Sequence, residues 1–177
     1  EAVQYAQTQN LWVNFDPNYR APLWPSKEAA RAAMRWGASH CHSIKIGKDE
    51  LLFLYDEPSY ENCLARLLEE PLLSLAFITN GANGTDFVTR HTRGHVDAFH
   101  VEGTIDTTGA GDIFGGAAIA ALFSRYTDPF ASIPSMSTED FASIVQFANA
   151  AAALSTTKHG GISSIPSFDE VSILTKM

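Results

Sequence analysis

An α/β layered domain with a mainly parallel sheet is the fold class that the sequence predicts, and three observations predict it. Short apolar runs of strand length alternate with amphipathic helical stretches through all 177 residues. An apolar content of 45% with 18% charged residues suits a sizeable globular core. No internal repeat, low-complexity tract or linker breaks the alternation.

Taken in order, Ala2 to Gln9 is an amphipathic helix, and Leu11 to Phe15 (LWVNF) is a strand that ends at Asp16-Pro17. A proline-rich loop to Pro25 precedes Ser26, an N-cap for the helix KEAARAAMRWGA that Gly37 closes. His40 to Ile46 reads as a strand, Lys48 to Tyr55 and Tyr60 to Glu70 as helices, and Leu73 to Thr79 as a buried strand stopped by Asn80-Gly81. Asp86 to Thr92 and His95 to Val101 alternate and are joined by Arg93-Gly94, which predicts an antiparallel hairpin over about 86–101. A helix from about Asp112 to Tyr126 follows a glycine-rich run. Ser137 with Asp140 then opens an Ala-rich helix to about Thr156 like a capping box, and Phe168 to Leu174 is a last short helix.

Twelve Lys and Arg against twenty Asp and Glu give a formal net charge of −8, which repels phosphate backbones and anionic membranes. Neither nucleic acid nor membrane is an expected partner. The chain shows no apolar stretch of spanning length and no secretion signal in EAVQYAQTQN, so a cytoplasmic location is expected. Cys41 and Cys63 form no metal or redox motif and are expected to be reduced and buried.

The segment with chemistry is Asp106-Thr107-Thr108-Gly109-Ala110-Gly111-Asp112, where small residues open a helix. Amide groups converging at a helix N-terminus favour an anion such as a transferring phosphoryl group. Asp112 at the same point suits a base that takes a proton from a hydroxyl. Close helix packing with Asp112 as a mere cap is the plainer alternative. The segment is neither a Walker A loop nor a protein-kinase glycine loop.

At DTTGAGD the sequence resembles the ribokinase-like (pfkB-type) carbohydrate kinases, whose signature is DTxGAGD. The resemblance implies a ribokinase-like α/β/α fold, with Asp112 as general base and the amides of Gly109, Ala110 and Gly111 as the anion hole. Asp16 to Trp24 is similar to the DPNxRxPLW segment of fructokinases, which implies a ketohexose substrate near Asn18 and Arg20; a proline-rich turn explains the same residues. Thr79 to Gly84 resembles the TxGxxG turn, implying nucleotide contacts at Thr79, Gly81 and Gly84. Phe147 to Ala153 resembles the ANAAAA helix, implying that Asn149 lies near adenine, although an Ala-rich helix packed on a sheet has the same pattern.

ATP and magnesium are the implied cofactors, with Glu50 reaching magnesium through water; Gly47 replaces the Asn of the family's NxxE motif. A potassium site is implied at Asp106, Thr108, Gly161 and Ser164. His40 and His42 share a strand face, but no further ligand for zinc is near. His91, His95, His100 and His159 read as surface residues.

The resemblance assigns residues 1–177 to the C-terminal, nucleotide-binding part of a single sugar-kinase domain, without the N-terminal half and lid. Exposed edges and apolar faces are then expected to promote self-association or pairing with that half. Three hypotheses follow: part of a fructokinase-like enzyme, a nucleotide-binding fragment inactive by itself, or a structural relative. Asp112 speaks against the last.

Overall fold

The computed structural model describes residues 1–176; Met177 lies outside the described residues. The chain forms two compact units, residues 1–79 with 88–91, and residues 80–87 with 92–176. Five strands follow one another in chain order in a mixed sheet among the described residues.

In the first unit α1 (Ala2–Thr8) leads to β1 (Asn14–Phe15), and β2 (Ser43–Gly47) and β3 (Leu75–Thr79) run parallel to it. Register pairs Phe15 with Ile44, and Ile44 with Ala76 through to Gly47 with Thr79. The connections are α2 (Lys27–Ser39) between β1 and β2, and α3 (Lys48–Tyr55) with α4 (Tyr60–Leu68) between β2 and β3. Ser26 caps α2 by accepting the Ala29 amide, and Ser59 caps α4 by accepting that of Asn62. Ile44, Ile46, Leu51, Leu54, Leu67 and Ile78 form a core closed to solvent. Gly37 is required by packing, because a Cβ there would clash with the Phe15 ring. Three arginines satisfy the last carbonyls of α3: Arg31 on Phe53, Arg35 on Leu54 and Arg66 on Tyr55.

The second unit holds most of β4 (Thr85–Val88), then β5 (Arg93–Val96), α5 (Ala110–Arg125), α6 (Pro129–Ser132), α7 (Thr138–Ser155) and α8 (Phe168–Leu174). Helices α5 and α7 pack along each other, and Phe87 stacks on Phe141 at 5.6 Å. Ser137 and Asp140 form the expected capping box. Cys41 and Cys63 are buried and free, and burial pushes the Cys41 thiol up to about 12.

The hairpin differs from expectation in its turn and its length. Arg93 and Gly94 lie inside β5, and residues 89–92 make the connection, too short for anything but an antiparallel return. Gly94 belongs in the strand because a side chain there would clash with the Phe87 ring. β5 stops at Val96, where Asn149 engages the backbone, so 97–101 is not strand. The first strand is also shorter than LWVNF: the Val13 amide donates to His42 Nδ1 at 3.0 Å instead of to a ladder. Residues 129–135, unassigned from sequence, form α6 and a following turn of 3-10 helix, with Asp128 as N-cap.

Candidate active site

Residues 106–112 form a loop that turns into α5. Gly109, with φ +78°, is the residue before the first helical turn, a conformation that favours glycine. A Cβ on it would also approach the Gly161 Cα to 3.1 Å, so the loop containing residues 158–166 sits directly against it. Asp106 ties the two loops together: Oδ1 accepts the Thr108 amide and Oδ2 the Gly160 amide, each at 2.9 Å. The Thr108 hydroxyl, with the amides of Gly160 and Thr108, holds the Asp106 carboxyl down to about 2. Ser164 is fully buried and its Oγ donates to the Gly161 carbonyl at 2.8 Å. Asp106, Thr108, Gly161 and Ser164 therefore share one neighbourhood, and its carboxylate, hydroxyl and carbonyl oxygens are the donor type that suits a hard cation.

Asp112 stands exposed in the first turn of α5. The helix N-terminus presents amides and partial positive charge there. One of the three expected anion-hole amides is engaged, since Ala110 donates to the Thr107 carbonyl at 3.2 Å.

Behind this loop lies a cavity of about 420 Å³, entirely within the second unit. Gly109, Asp112 and Gly161 form its polar end. Ile113, Gly116 and Ala117 of α5, Phe147 and Ala151 of α7, and Phe168 and Val171 of α8 form the apolar part. Gly116 and Ala117 leave this wall without bulk, which is why α5 can flank a cavity here.

Asn149 is not among the residues lining the cavity. Its side chain is buried and engaged at both ends: Oδ1 accepts from the Thr85 hydroxyl at 2.8 Å, and Nδ2 donates to the Val96 and Asp97 carbonyls at 3.1 Å. It anchors β4 and the end of β5 to α7. Gly84, at φ +85°, leaves room for the Val96 carbonyl, with which a side chain would clash, while Gly81, at φ +53°, faces open space. The turn they frame closes with the Asn80 amide on the Gly84 carbonyl at 2.9 Å; Thr79 ends β3 in the first unit.

Two carboxylates organise the strand ends of the first unit. Asp16 accepts from Lys45 Nζ at 3.1 Å and from the Asn18 amide at 3.1 Å, holding Asn18 at φ +41°. Burial raises the Asp16 carboxyl despite the Lys45 charge. Glu50 accepts the Tyr19 amide at 2.6 Å and the Gly47 amide at 2.8 Å, so it fixes the 16–20 loop as well as the head of α3. Each of its oxygens keeps a second lone pair, so a water-mediated hold on magnesium fits. Gly47 leaves space for this arrangement, its absent Cβ lying 3.2 Å from Glu50 Oε2. Tyr19 stacks on Phe53 at 4.2 Å, and the exposed Arg20 donates to the Tyr19 carbonyl at 3.1 Å. The pairing of Lys45 with Asp16 was missed in the sequence, where a lone lysine in the apolar run SIKIG was its signal.

His42 Nδ1 accepts the Val13 amide and burial lowers its pKa, while His40 Nδ1 lies 2.8 Å from the Trp36 carbonyl. No helix among the described residues is long and apolar enough to cross a membrane.

The model of the pfkB family carbohydrate kinases matches residues 1–167. The chain belongs to this family. Probable fructokinase-4 of Arabidopsis thaliana is 36% identical over 179 residues, which cover 99% of this chain and 52% of that protein. A fructokinase from Xylella fastidiosa with bound ATP superposes with a TM-score of 0.90 at 27% identity, over 99% of this chain and 55% of that one. A double-mutant fructokinase from Vibrio cholerae O395, in a form with fructose, ADP and potassium bound, gives 0.83 at 25% identity, over 98% and 53%. The ribokinase-like α/β fold is thereby shown, and the chain spans about half the length of the relatives it matches.

Proposed function

We propose that this chain carries the nucleotide site and the general base of an ATP-dependent fructokinase. The observation that supports this most is the continuity of Asp112 and Gly109 with an apolar cavity of small-molecule size. A carboxylate, a helix N-terminus and a base-sized space adjoin one another, which is what phosphoryl transfer to a hydroxyl requires.

In this reading the triphosphate lies at the head of α5 and its base in the cavity. Asp112 accepts the proton of a primary sugar hydroxyl as that oxygen attacks the γ-phosphorus, and the bond from that phosphorus to the bridging oxygen breaks with ADP as the leaving group. The amides at Gly109, Ala110 and Gly111 hold the charge developing on the transferred group, with that of Ala110 released from Thr107 or shared with it. Magnesium, when bound, neutralises phosphate charge, and Glu50 is the residue proposed to hold it through water. Asp106, Thr108, Gly161 and Ser164 are the proposed potassium site, and its ordering of the 160–164 loop against Gly109 would shape the anion hole. Asn18 and Arg20 are the proposed sugar contacts, on a loop that Asp16 and Glu50 hold in place. Thr79, Gly81 and Gly84 are proposed to frame the nucleotide, whereas Asn149 acts by positioning Val96 and Asp97. Fructose is the proposed sugar because both fructokinase structures and the curated fructokinase resemble this chain.

A second reading, a nucleotide-binding fragment inactive by itself, is favoured by the chain's covering only about half of its relatives. Calorimetric titration with ATP and magnesium, beside an assay of fructose-dependent ADP formation, separates the two. Binding with turnover supports the first, binding without turnover the second, and no binding removes both.

A further inference from the structure

The walls of the cavity carry almost nothing that can read a hydrogen-bonding edge. Among the described residues that line it, Asp112 alone has a polar side chain, and it lies at the phosphate end. Polar groups close in sequence to the wall residues are engaged by protein. Asn149 has its amide on two carbonyls. In the loop wall the Ser164 and Ile165 amides donate to the carbonyls of Gly161 and Ile162, and the Ser163 hydroxyl to that of His159. At the head of α8 the Ser167 amide and hydroxyl both donate to Glu170. What the cavity offers instead is aromatic and aliphatic surface: Phe147 and Phe168 meet at 5.5 Å, and Ile162, Ile165 and Phe168 are exposed at its edge.

Discrimination between adenine and guanine depends on their six-position groups, an amino donor in one and a carbonyl acceptor in the other. Strong selection comes from buried protein groups that the wrong base would leave unpaired, whereas an apolar pocket separates similar shapes only weakly. We propose that the cavity accepts a purine base by shape and ring contact alone, so that the phosphoryl donor is a purine nucleoside triphosphate of either kind, GTP as well as ATP. This rests on the nucleotide reading above and extends it to the donor class.

Calorimetric titration of the 177-residue chain with ADP and with GDP, in magnesium, tests the inference without requiring turnover. Dissociation constants within about tenfold of each other are expected. ADP binding with GDP weaker by about a hundredfold or more overturns the inference while leaving the nucleotide site standing. Binding of neither overturns the nucleotide reading and the inference together. Phe168→Ala, at an exposed position where folding should tolerate it, provides a second check. It should weaken ADP and GDP by a similar factor of about five or more, as loss of ring contact does for any base; a loss confined to ADP would contradict the proposal.

Discussion

Asp106 accepts the Gly160 amide across 54 residues of sequence, and through that bond the loop before α5 and the loop after α7 become one structure. Gly109 then lies against Gly161, and a Cβ on Gly109 would approach the Gly161 Cα to 3.1 Å. The resemblance implied a shared ion site for these loops; the structure adds that the carboxylate joins them by direct hydrogen bonds.

The Asp106 carboxyl is lowered to about 2, below its ordinary value near 4, so ionised Asp106 favours the folded state. Its contribution is complete above about pH 4 and lost as the pH falls through about 2. Asp106→Asn should therefore flatten the acid limb of the stability curve over that window, and denaturant titrations of both proteins from neutral pH downward would show it. Identical acid limbs would contradict the assignment.

Asn149→Ala should destabilise the fold by about 2–4 kcal/mol, because it leaves the Thr85 hydroxyl and the Val96 and Asp97 carbonyls without their partner. Urea unfolding measures the loss. A stability unchanged within error would mean that the residue is not the anchor described.

At Gly84 a side chain meets both a positive φ and the Val96 carbonyl. Gly84→Ala should cost about 3 kcal/mol, since backbone strain adds to the displacement of a neighbouring main chain. Gly81→Ala meets the same φ problem in open space and should cost about 1 kcal/mol. Thermal denaturation of the pair separates steric from conformational cost.

Lys45→Met should destabilise by about 3 kcal/mol at neutral pH, because Asp16 then holds its charge in a half-buried place without a cation. The folded pKa of Asp16 is already raised and would rise further. Its ionisation costs stability as the pH climbs through that value, so the penalty of the substitution should shrink as acid protonates Asp16. A penalty independent of pH would point to packing instead.

Helix positions were legible because caps and apolar spacing are local: α2, α3, α7 and α8 follow from Ser26, the KDELLFLY spacing, Ser137 with Asp140, and the stretch from Phe168. What was misread depends on tertiary contact. Arg93-Gly94 has the composition of a turn, but Phe87 needs the space above Gly94, and the turn moved to 89–92. At the site, DTTGAGD marks the head of α5 because its small residues act locally through backbone geometry. The hydrogen bonds of Asn149 were not legible, since its partners Thr85, Val96 and Asp97 lie more than 50 positions away. The cavity walls were equally hidden, because α5, α7 and α8 each contribute small or apolar residues that sequence alone reads as core.

The claim that Asp112 is the base is tested most directly by fructose-dependent ADP formation, comparing the chain with Asp112→Ala, and measuring ATP affinity in both. Turnover should fall by about a hundredfold or more while the dissociation constant for ATP changes little, because the base acts on the hydroxyl proton and not on the nucleotide. A variant that forms ADP at the rate of the unaltered chain would contradict the account.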